Sequence, residues 1–183
     1  FSNINRALKE LNTTMLNKNK KIISFQTRNI PHMGHEKIIE MLLKKFDYVI
    51  INPVIGPKKK GDVKNEILFK VFDYLSQKIY DKKILFYPLC ANMFYGGPRE
   101  AIHHAMIRKQ SGFKSFVVGR DHAGAENNYD PGKAVEIVNQ VKNKIGMEIV
   151  THKGSYFDQT NKQIVIKDET NMNNNLQDIS GSK

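Results

Sequence analysis

The chain has one cysteine, Cys90, and no tryptophan among its 183 residues. A lone thiol closes no internal disulfide, so a reducing cytoplasm is the natural compartment. Long hydrophobic runs are missing as well. None reaches the roughly 18 residues of a membrane span, and no membrane partner is expected. Phe1 to Lys20 is polar and lysine-rich without an apolar middle, which is not the pattern of a signal peptide. Acidic residues are the scarcer charge: 18 Asp and Glu stand against 29 Lys and Arg, for a formal net charge of +11. Such an excess suits nucleic acid or small anions. The lysines are scattered over Lys18 to Lys21, Lys58 to Lys60 and Lys142 to Lys144, with no aromatics interleaved along one helix face. That pattern is the usual solvated surface, and nucleic acid is not an expected partner.

What is present is ordinary for a globular domain: 40% hydrophobic and 26% charged residues, in a chain long enough for one sizeable core. Ile4, Leu8, Leu11 and Met15 recur at helical spacing and predict an amphipathic helix to about Leu16. Lys21 to Phe25 reads as a short strand, and Ile38, Ile39, Met41, Leu42 and Leu43 supply the stripe of a second helix. Tyr48 to Val54 is a near-continuous β-rich run, as for a strand covered on both faces. A helix through Ile67, Val71, Leu75 and Ile79 follows, then a strand over Ile84 to Leu89. Pro98 opens a helix carried by Ala101 to Gln110, and Phe116 to Val118 is the next strand. Pro131 opens a helix through Val135 to Val141, and Glu148 to Thr151 ends the series. Strand and helix alternate at least four times without repeat or linker. That predicts one α/β domain, 1–183, with a parallel sheet flanked by helices.

Polar clusters follow the strands, at Gln26 to His35, Gly56 to Asp62, Asn92 to Gly97 and Gly119 to Asp130. Ligands of open parallel sheets bind beyond the carboxyl ends of the strands, so these loops are expected to converge on one crevice. The first cluster, Gln26-Thr27-Arg28-Asn29-Ile30-Pro31-His32-Met33-Gly34-His35, lies where a strand hands over to a helix. Backbone amides and the helix dipole favour an anion there. His32 and His35 share one side of the first turn, and Arg28 offers a fixed fork of donors. Zinc does not fit, because His-x-x-His supplies two ligands and no Cys or acidic cluster completes a tetrahedron.

Gln-Thr-Arg-Asn followed by His-x-x-His resembles the signature of ATP sulfurylases, within the nucleotidyltransferases carrying His-x-Gly-His-type motifs. Gly97-Pro98-Arg99-Glu100-Ala101 is similar to the family's Gly-Pro-Arg-Glu-Ala helix start. Gly119-Arg120-Asp121-His122-Ala123-Gly124 is similar to its Gly-Arg-Asp-His-Ala-Gly loop. Ile179-Ser180-Gly181-Ser182-Lys183 resembles Ile-Ser-Gly-Thr-Lys-x-Arg, stopping before the Arg. Matches in this order span nearly the whole chain. The resemblance implies a Rossmann-like (HUP-type) fold of nucleotidyltransferase architecture. It also implies a catalytic domain that is a piece of a longer polypeptide, without the PUA-like amino-terminal domain of relatives.

The same resemblance implies sulfate adenylyl transfer, from ATP and sulfate to adenylyl sulfate (APS) and pyrophosphate, with direct attack on the α-phosphorus. Thr27, Arg28 and Asn29 would be the catalytic trio, and His32 and His35 would hold the ATP phosphates and stabilise the transition state. Gln26, Thr27, Arg28, Asn29, His32, His35, Gly119, Arg120, Asp121 and His122 would bind ATP. Gln26, Arg28 and the backbone N–H of Ala123 would bind sulfate. Mg²⁺ would arrive with the nucleotide, and homo-oligomers are expected. Phe94 stands where the family usually has Arg, which leaves room for a different oxyanion or a phosphorylated acceptor; a non-catalytic nucleotide-binding domain is the further alternative. Ser155 to Ile179 has no Cys, so the zinc-type segment of many relatives is not expected. His103 and His104 read as structural or supporting residues, one facing inward. Arg99 and Glu100 read either as ordinary helix-start residues or as orienting the preceding loop. Lys59, Gly61 and Asp62 read as a loop near the site or plain surface.

Overall fold

The computed structural model describes residues 19–57, 63–120, 122–123, 129–167 and 175–179. The expected helix before Leu16, the loop with Lys59, Gly61 and Asp62, the side chain of Asp121 and the stretch Ser180 to Lys183 lie outside the described residues. The chain groups into two compact units, 1–30 with 42–93, and 31–41 with 94–183.

The first unit holds strands β1 (Ile22–Thr27), β2 (Tyr48–Pro53) and β3 (Ile84–Phe86). They pair in parallel, Ile22 opposite Tyr48 through Thr27 opposite Pro53, and Val49 opposite Ile84 through Ile51 opposite Phe86. Val49, Ile50 and Ile51 are wholly buried, as the apolar run of β2 predicts. Strand β3 stops at Phe86, sooner than the sequence suggests. Tyr87 N–H and Leu89 N–H still donate to the Ile51 and Pro53 carbonyls, and Pro88 between them lies on the open edge, where it forfeits no ladder bond. Leu89 then returns as an isolated bridge to Val54. Helix α2 (Asn65–Tyr74) packs Leu68 and Phe72 inward and widens into a π-helical turn at Leu75–Ile79. The expected single helix is thus two pitches, and the wide turn seats Ser76 in the interior, bonded to the carbonyl of Ile84.

The second unit takes most of helix α1 (Met33–Leu43), then α3 (Pro98–Gln110), β4 (Ser115–Val118), α4 (Lys133–Ile145) and β5 (Glu148–Thr151). Strands β4 and β5 pair in parallel, Ser115 opposite Glu148 through Val118 opposite Thr151. Ala101, Ala105, Ala134, Val138, Ile145, Phe116 and Val118 form one core, whose alanines let α3 and α4 approach closely. Helix α4 starts at Lys133, after Gly132 at φ 88°, and ends on left-handed Gly146. Beyond β5 lies a sheet with no counterpart in the sequence reading: antiparallel β6 (Ser155–Asp158), β7 (Gln163–Ile166) and β8 (Leu176–Asp178), in the order β7-β6-β8. Buried Asp158 closes the β6–β7 turn, accepting from the N–H groups of Thr160 and Asn161 and from Asn161 Nδ2, at 2.8–3.1 Å.

Candidate active site

The polar clusters do follow the carboxyl ends of the strands, and within each unit they meet one another. In the second unit the meeting point is a set of histidines. His32 precedes helix α1, and its carbonyl accepts from His35 N–H at 2.8 Å and Glu36 N–H at 3.1 Å. Its Nδ1 accepts from Gly34 N–H at 3.1 Å, while His35 Nδ1 accepts from His32 N–H at 3.4 Å. This is the reciprocal geometry of a capping box, with imidazoles in place of the usual hydroxyl and carboxylate. It assigns the tautomers: each Nδ1 is an acceptor, so each proton sits on Nε2. Both rings stay neutral. Burial lowers the His32 pKa, against a small upward pull from Glu36, and burial with the neighbouring His32 and His152 lowers His35 to about 4. Gly34 is required by the packing: a β-carbon there would overlap Ser155 Oγ and lie 2.9 Å from His32 Cε1.

The loop after β4 is held from two directions. Gly119 faces His152, whose Nε2 would lie 2.9 Å from a β-carbon at that position. His152 Nδ1 accepts from Gly154 N–H at 3.2 Å, and burial, aided by the charge of Arg120, lowers its pKa to about 4. Arg120 points to the small sheet. It donates to the Tyr156 hydroxyl, stacks over the Tyr156 ring at 5.2 Å, and pairs with Asp178 at 3.0 Å. Ala123 sits in the left-handed region at φ 56°, a conformation that costs about 1 kcal/mol for a residue with a β-carbon. Its carbonyl accepts from Gly97 N–H at 3.1 Å, which ties this loop to the turn before α3.

Behind that loop runs a buried polar chain. Glu100 accepts from Phe94 N–H at 2.9 Å and Gly96 N–H at 2.7 Å, so it does orient the loop before α3, while neighbouring Arg99 is exposed. Glu100 also meets His104 Nε2 at 3.3 Å, and His104 Nδ1 lies 3.0 Å from His122 Nε2. His104 faces inward and is 1% exposed, whereas His103 faces solvent. Burial first, then the nearness of His122, Arg108 and His103, each of which disfavours a second positive charge, lowers His104 to about 2, so its contact with Glu100 is a hydrogen bond from a neutral imidazole and not an ion pair. His122 falls to about 3 through burial, Arg108 and His152. Arg108 is buried, lies 5.0 Å above the Phe116 ring and donates to the His104 carbonyl; burial lowers it to about 9, which leaves it charged.

In the first unit, Thr27 is buried and its hydroxyl both accepts from Asn29 N–H at 3.2 Å and donates to the Asn29 carbonyl at 3.1 Å. That turn fixes the backbone on either side of half-buried Arg28. Gln26 Nε2 contacts Met93 Sδ at 3.7 Å, and its buried Oε1 has no hydrogen-bond partner among the described residues. Gly56 lies so close to the Ala91 carbonyl that no side chain fits. The loops after β1, β2 and β3 therefore touch within this unit.

The second unit thus joins His32, His35, Gly119 and His122, and adds residues that the sequence reading passed over: His152, Ser155, Tyr156, Asp178 and Arg108. His152 had a readable signal, since it follows a strand end as the other polar clusters do. Arg108 had none, because a basic residue in a helix reads as surface. Chemically, neutral Nε2–H donors at a helix start suit an oxyanion, and the buried acceptor Gln26 Oε1 suits a ligand donor.

The ATP-sulfurylase family model matches residues 5–183. The chain is 44% identical over 122 residues to a sulfate adenylyltransferase of Pyrococcus abyssi, covering 66% of this chain and 32% of that protein. It is 43% identical over 139 residues to one of Staphylothermus marinus, covering 74% and 36%. The chain therefore spans about a third of the length of these curated relatives. A solved chain titled a hexameric APS kinase from Thiobacillus denitrificans superposes with a TM-score of 0.66 at 14% identity, over 96% of this chain and 33% of that one. At that identity the likeness speaks to the fold alone, a Rossmann-like α/β arrangement with helices flanking a parallel sheet. The family match covers all the motifs from Gln26 to Lys183 in order, and the chain belongs to the ATP-sulfurylase family.

Proposed function

We propose that the protein is a sulfate adenylyltransferase, a nucleotidyltransferase that joins ATP and sulfate to give APS and pyrophosphate. Family membership supports the reaction class, and one observation carries the site: the mutual capping of His32 and His35 at the start of α1, which uses both Nδ1 atoms as acceptors and puts both protons on Nε2. In this reading Gln26, Arg28 and the Ala123 N–H hold sulfate, and Thr27, Arg28 and Asn29 align it. The ATP ligands are Gln26, Thr27, Arg28, Asn29, His32, His35, Gly119, Arg120, Asp121 and His122. Arg28 offsets repulsion between the two anions, and a sulfate oxygen attacks the α-phosphorus in line with the departing pyrophosphate. His32 and His35 donate to oxygens whose charge grows in the five-coordinate transition state. The attack forms the new P–O bond as the bond to the bridging oxygen breaks, so no covalent enzyme intermediate is involved.

Among the described residues no group of three or more His, Cys, Asp or Glu side chains is arranged to hold a metal ion. In this reading Mg²⁺ arrives with the nucleotide phosphates, and no step is routed through protein ligands. A single catalytic domain within a longer polypeptide, homo-oligomeric assembly and a cytoplasmic setting belong to the same proposal. No helix among the described residues is long and apolar enough to cross a membrane.

The test is phosphate release from ATP, Mg²⁺ and sulfate in the presence of inorganic pyrophosphatase, with molybdate as an alternative oxyanion that drives futile ATP cleavage. Nucleotide binding without turnover on either oxyanion overturns the assignment. Phe94 favours one second reading. It is 67% exposed at the position where the family resemblance implies Arg, and its own N–H is held by Glu100, so the position faces solvent without the positive charge. A different acceptor would show as turnover in a screen of oxyanions and phosphorylated metabolites that exceeds turnover on sulfate.

A further inference from the structure

The Glu100–His104–His122 chain lies behind the Gly119–Ala123 loop, and the proton positions along it follow from one end. Both oxygens of Glu100 accept backbone N–H groups, from Phe94 and Gly96, so the side chain is a carboxylate that only accepts. The hydrogen bond to His104 must then be donated by His104 Nε2. His104 is buried and neutral, so its Nδ1 carries a lone pair. The 3.0 Å contact from that Nδ1 to His122 Nε2 must in turn be donated by His122. His122 has one ring nitrogen left, Nδ1, and in a neutral ring it too carries a lone pair. The ring also packs edge-on against Phe116 at 5.5 Å between centroids.

This outcome is the reverse of His32 and His35, whose Nδ1 atoms are engaged as acceptors in the cap and whose protons sit on Nε2. At neutral pH a triphosphate chain presents almost nothing but acceptors, so a lone pair has no partner there. The nucleoside half is different: its ribose hydroxyls and the exocyclic amine of adenine are donors. We infer that Glu100 and His104 are positioning residues that fix His122 as a hydrogen-bond acceptor for a donor group on the nucleoside half of the bound nucleotide. The inference rests on the sulfate adenylyltransferase reading for the identity of the ligand; the proton arrangement itself does not.

The experiment has two readouts on the protein labelled with ¹⁵N-histidine. Long-range ¹H–¹⁵N correlation reports which ring nitrogen of each histidine carries the proton. Calorimetry with ATP, 2′-deoxy-ATP, inosine triphosphate and pyrophosphate reports affinity. His122 is expected with the proton on Nε2 alone. His104→Gln keeps a donor toward Glu100 and an acceptor toward His122, whereas His104→Leu keeps the bulk and supplies neither. With Gln, His122 retains its single tautomer and ATP affinity stays within about threefold. With Leu the tautomer preference is lost and ATP binds roughly tenfold more weakly, the worth of one neutral hydrogen bond. Pyrophosphate affinity is unchanged in both. A packing role predicts the opposite order, since Leu suits a buried site better than Gln. In the unaltered protein, a loss of affinity confined to 2′-deoxy-ATP assigns the donor to the ribose, and one confined to inosine triphosphate assigns it to the amine. A His122 proton on Nδ1 or on both nitrogens overturns the relay, and the unaltered protein alone decides that, even where a variant does not fold. Equal losses for ATP and pyrophosphate on His104→Leu overturn the nucleoside assignment. Failure of the unaltered protein to bind ATP overturns the functional reading instead, with the relay still judged by the spectrum.

Discussion

Gly34→Ala is the most informative single change, because four effects act on it and their sizes differ. Alanine at the second helical position gains at most about 1 kcal/mol of helix propensity over glycine. Against this, its β-carbon would overlap Ser155 Oγ and approach His32 Cε1 at 2.9 Å and Nδ1 at 3.0 Å. Overpacking of this kind costs about 1–3 kcal/mol. The Ser155 hydroxyl and the His32 ring are the side-chain groups that can give, and rotation of the ring breaks the bond from Gly34 N–H to Nδ1, a cap worth about 1 kcal/mol. The losses outweigh the gain by about 1–3 kcal/mol, or roughly 3–10 °C in melting temperature for a chain of this length. Ligand affinity moves separately: a rotated His32 no longer aims Nε2–H past the helix start, so ATP and pyrophosphate should each bind roughly tenfold more weakly. Adding Ser155→Ala removes the overlapping oxygen and should recover part of the stability while leaving the affinity low. Urea denaturation and calorimetry separate the two. A Gly34→Ala protein as stable as the parent refutes the packing argument, and a double variant with parental affinity refutes the claim that His32 is the group displaced.

Four further outcomes are expected. The folded-state pKa values of His35 and His152 lie near 4 and that of His122 near 3, below the ordinary 6.5 of an unfolded chain. Stability from their neutrality is therefore complete above about pH 6.5 and lost as pH falls towards 4. Each contributes a slope of up to about 1.4 kcal/mol per pH unit. Urea midpoints between pH 7 and 5, where most carboxylates remain ionised, should fall steadily, and a flat profile contradicts neutral buried histidines. Arg28→Ala should abolish adenylyl transfer while ATP affinity stays within a few-fold, read by phosphate release and calorimetry; a parental rate removes Arg28 from the chemistry. Tyr156→Phe keeps the ring beneath Arg120 but removes the hydroxyl to which Arg120 donates, and should destabilise by about 1 kcal/mol in urea. Asp178→Asn should cost about 0.5 kcal/mol or less, because that pair is half in solvent.

The strands and helices of both units were readable because their signals are local: the apolar run of β2, the 3.6-residue stripe of α1, Pro98 at the head of α3. What escaped depends on partners distant in sequence. The sequence reading assigns no strand to the three-stranded sheet, although Tyr156-Phe157 and Ile164-Val165-Ile166 are short β-rich runs and Asp158 to Asn161 between them is turn chemistry. Short strands of this kind acquire their meaning from pairing, which no window of sequence displays. The π-helical turn at Leu75–Ile79 follows from the need to bury Ser76 against the Ile84 carbonyl, a contact eight residues away. For the site, the glycines of the His-x-Gly-His and Gly-Arg-Asp-His motifs were visible, but the reason for them was not. It lies in Ser155, His32 and His152, which crowd the missing β-carbons. Likewise Arg120 read as part of a nucleotide loop, while the side chain also anchors that loop to Tyr156 and Asp178.

A chain with a net charge of +11 nevertheless places neutral imidazoles at the helix start proposed to meet phosphate. The choice has a physical consequence. A neutral imidazole N–H donating to a phosphate oxygen is already a charge-assisted bond of about 1.5–3 kcal/mol, and a cationic donor adds a long-range attraction on top of it. Pyrophosphate carries more charge after it leaves the α-phosphorus than it carried within ATP, so cationic donors would hold the product more tightly than the substrate and delay its release. Neutral donors locked by backbone capping keep the directional part of the interaction, which matters as charge develops in the transition state, with less of the long-range attraction that follows the product afterwards. Burial is what keeps the rings neutral, and the His32–His35 cap is what aims them. On this argument a replacement that restores charge without the cap, His35→Lys, should bind pyrophosphate more tightly than the parent while turning over more slowly. Weaker pyrophosphate binding by that variant would show that the neutrality of the pair is incidental.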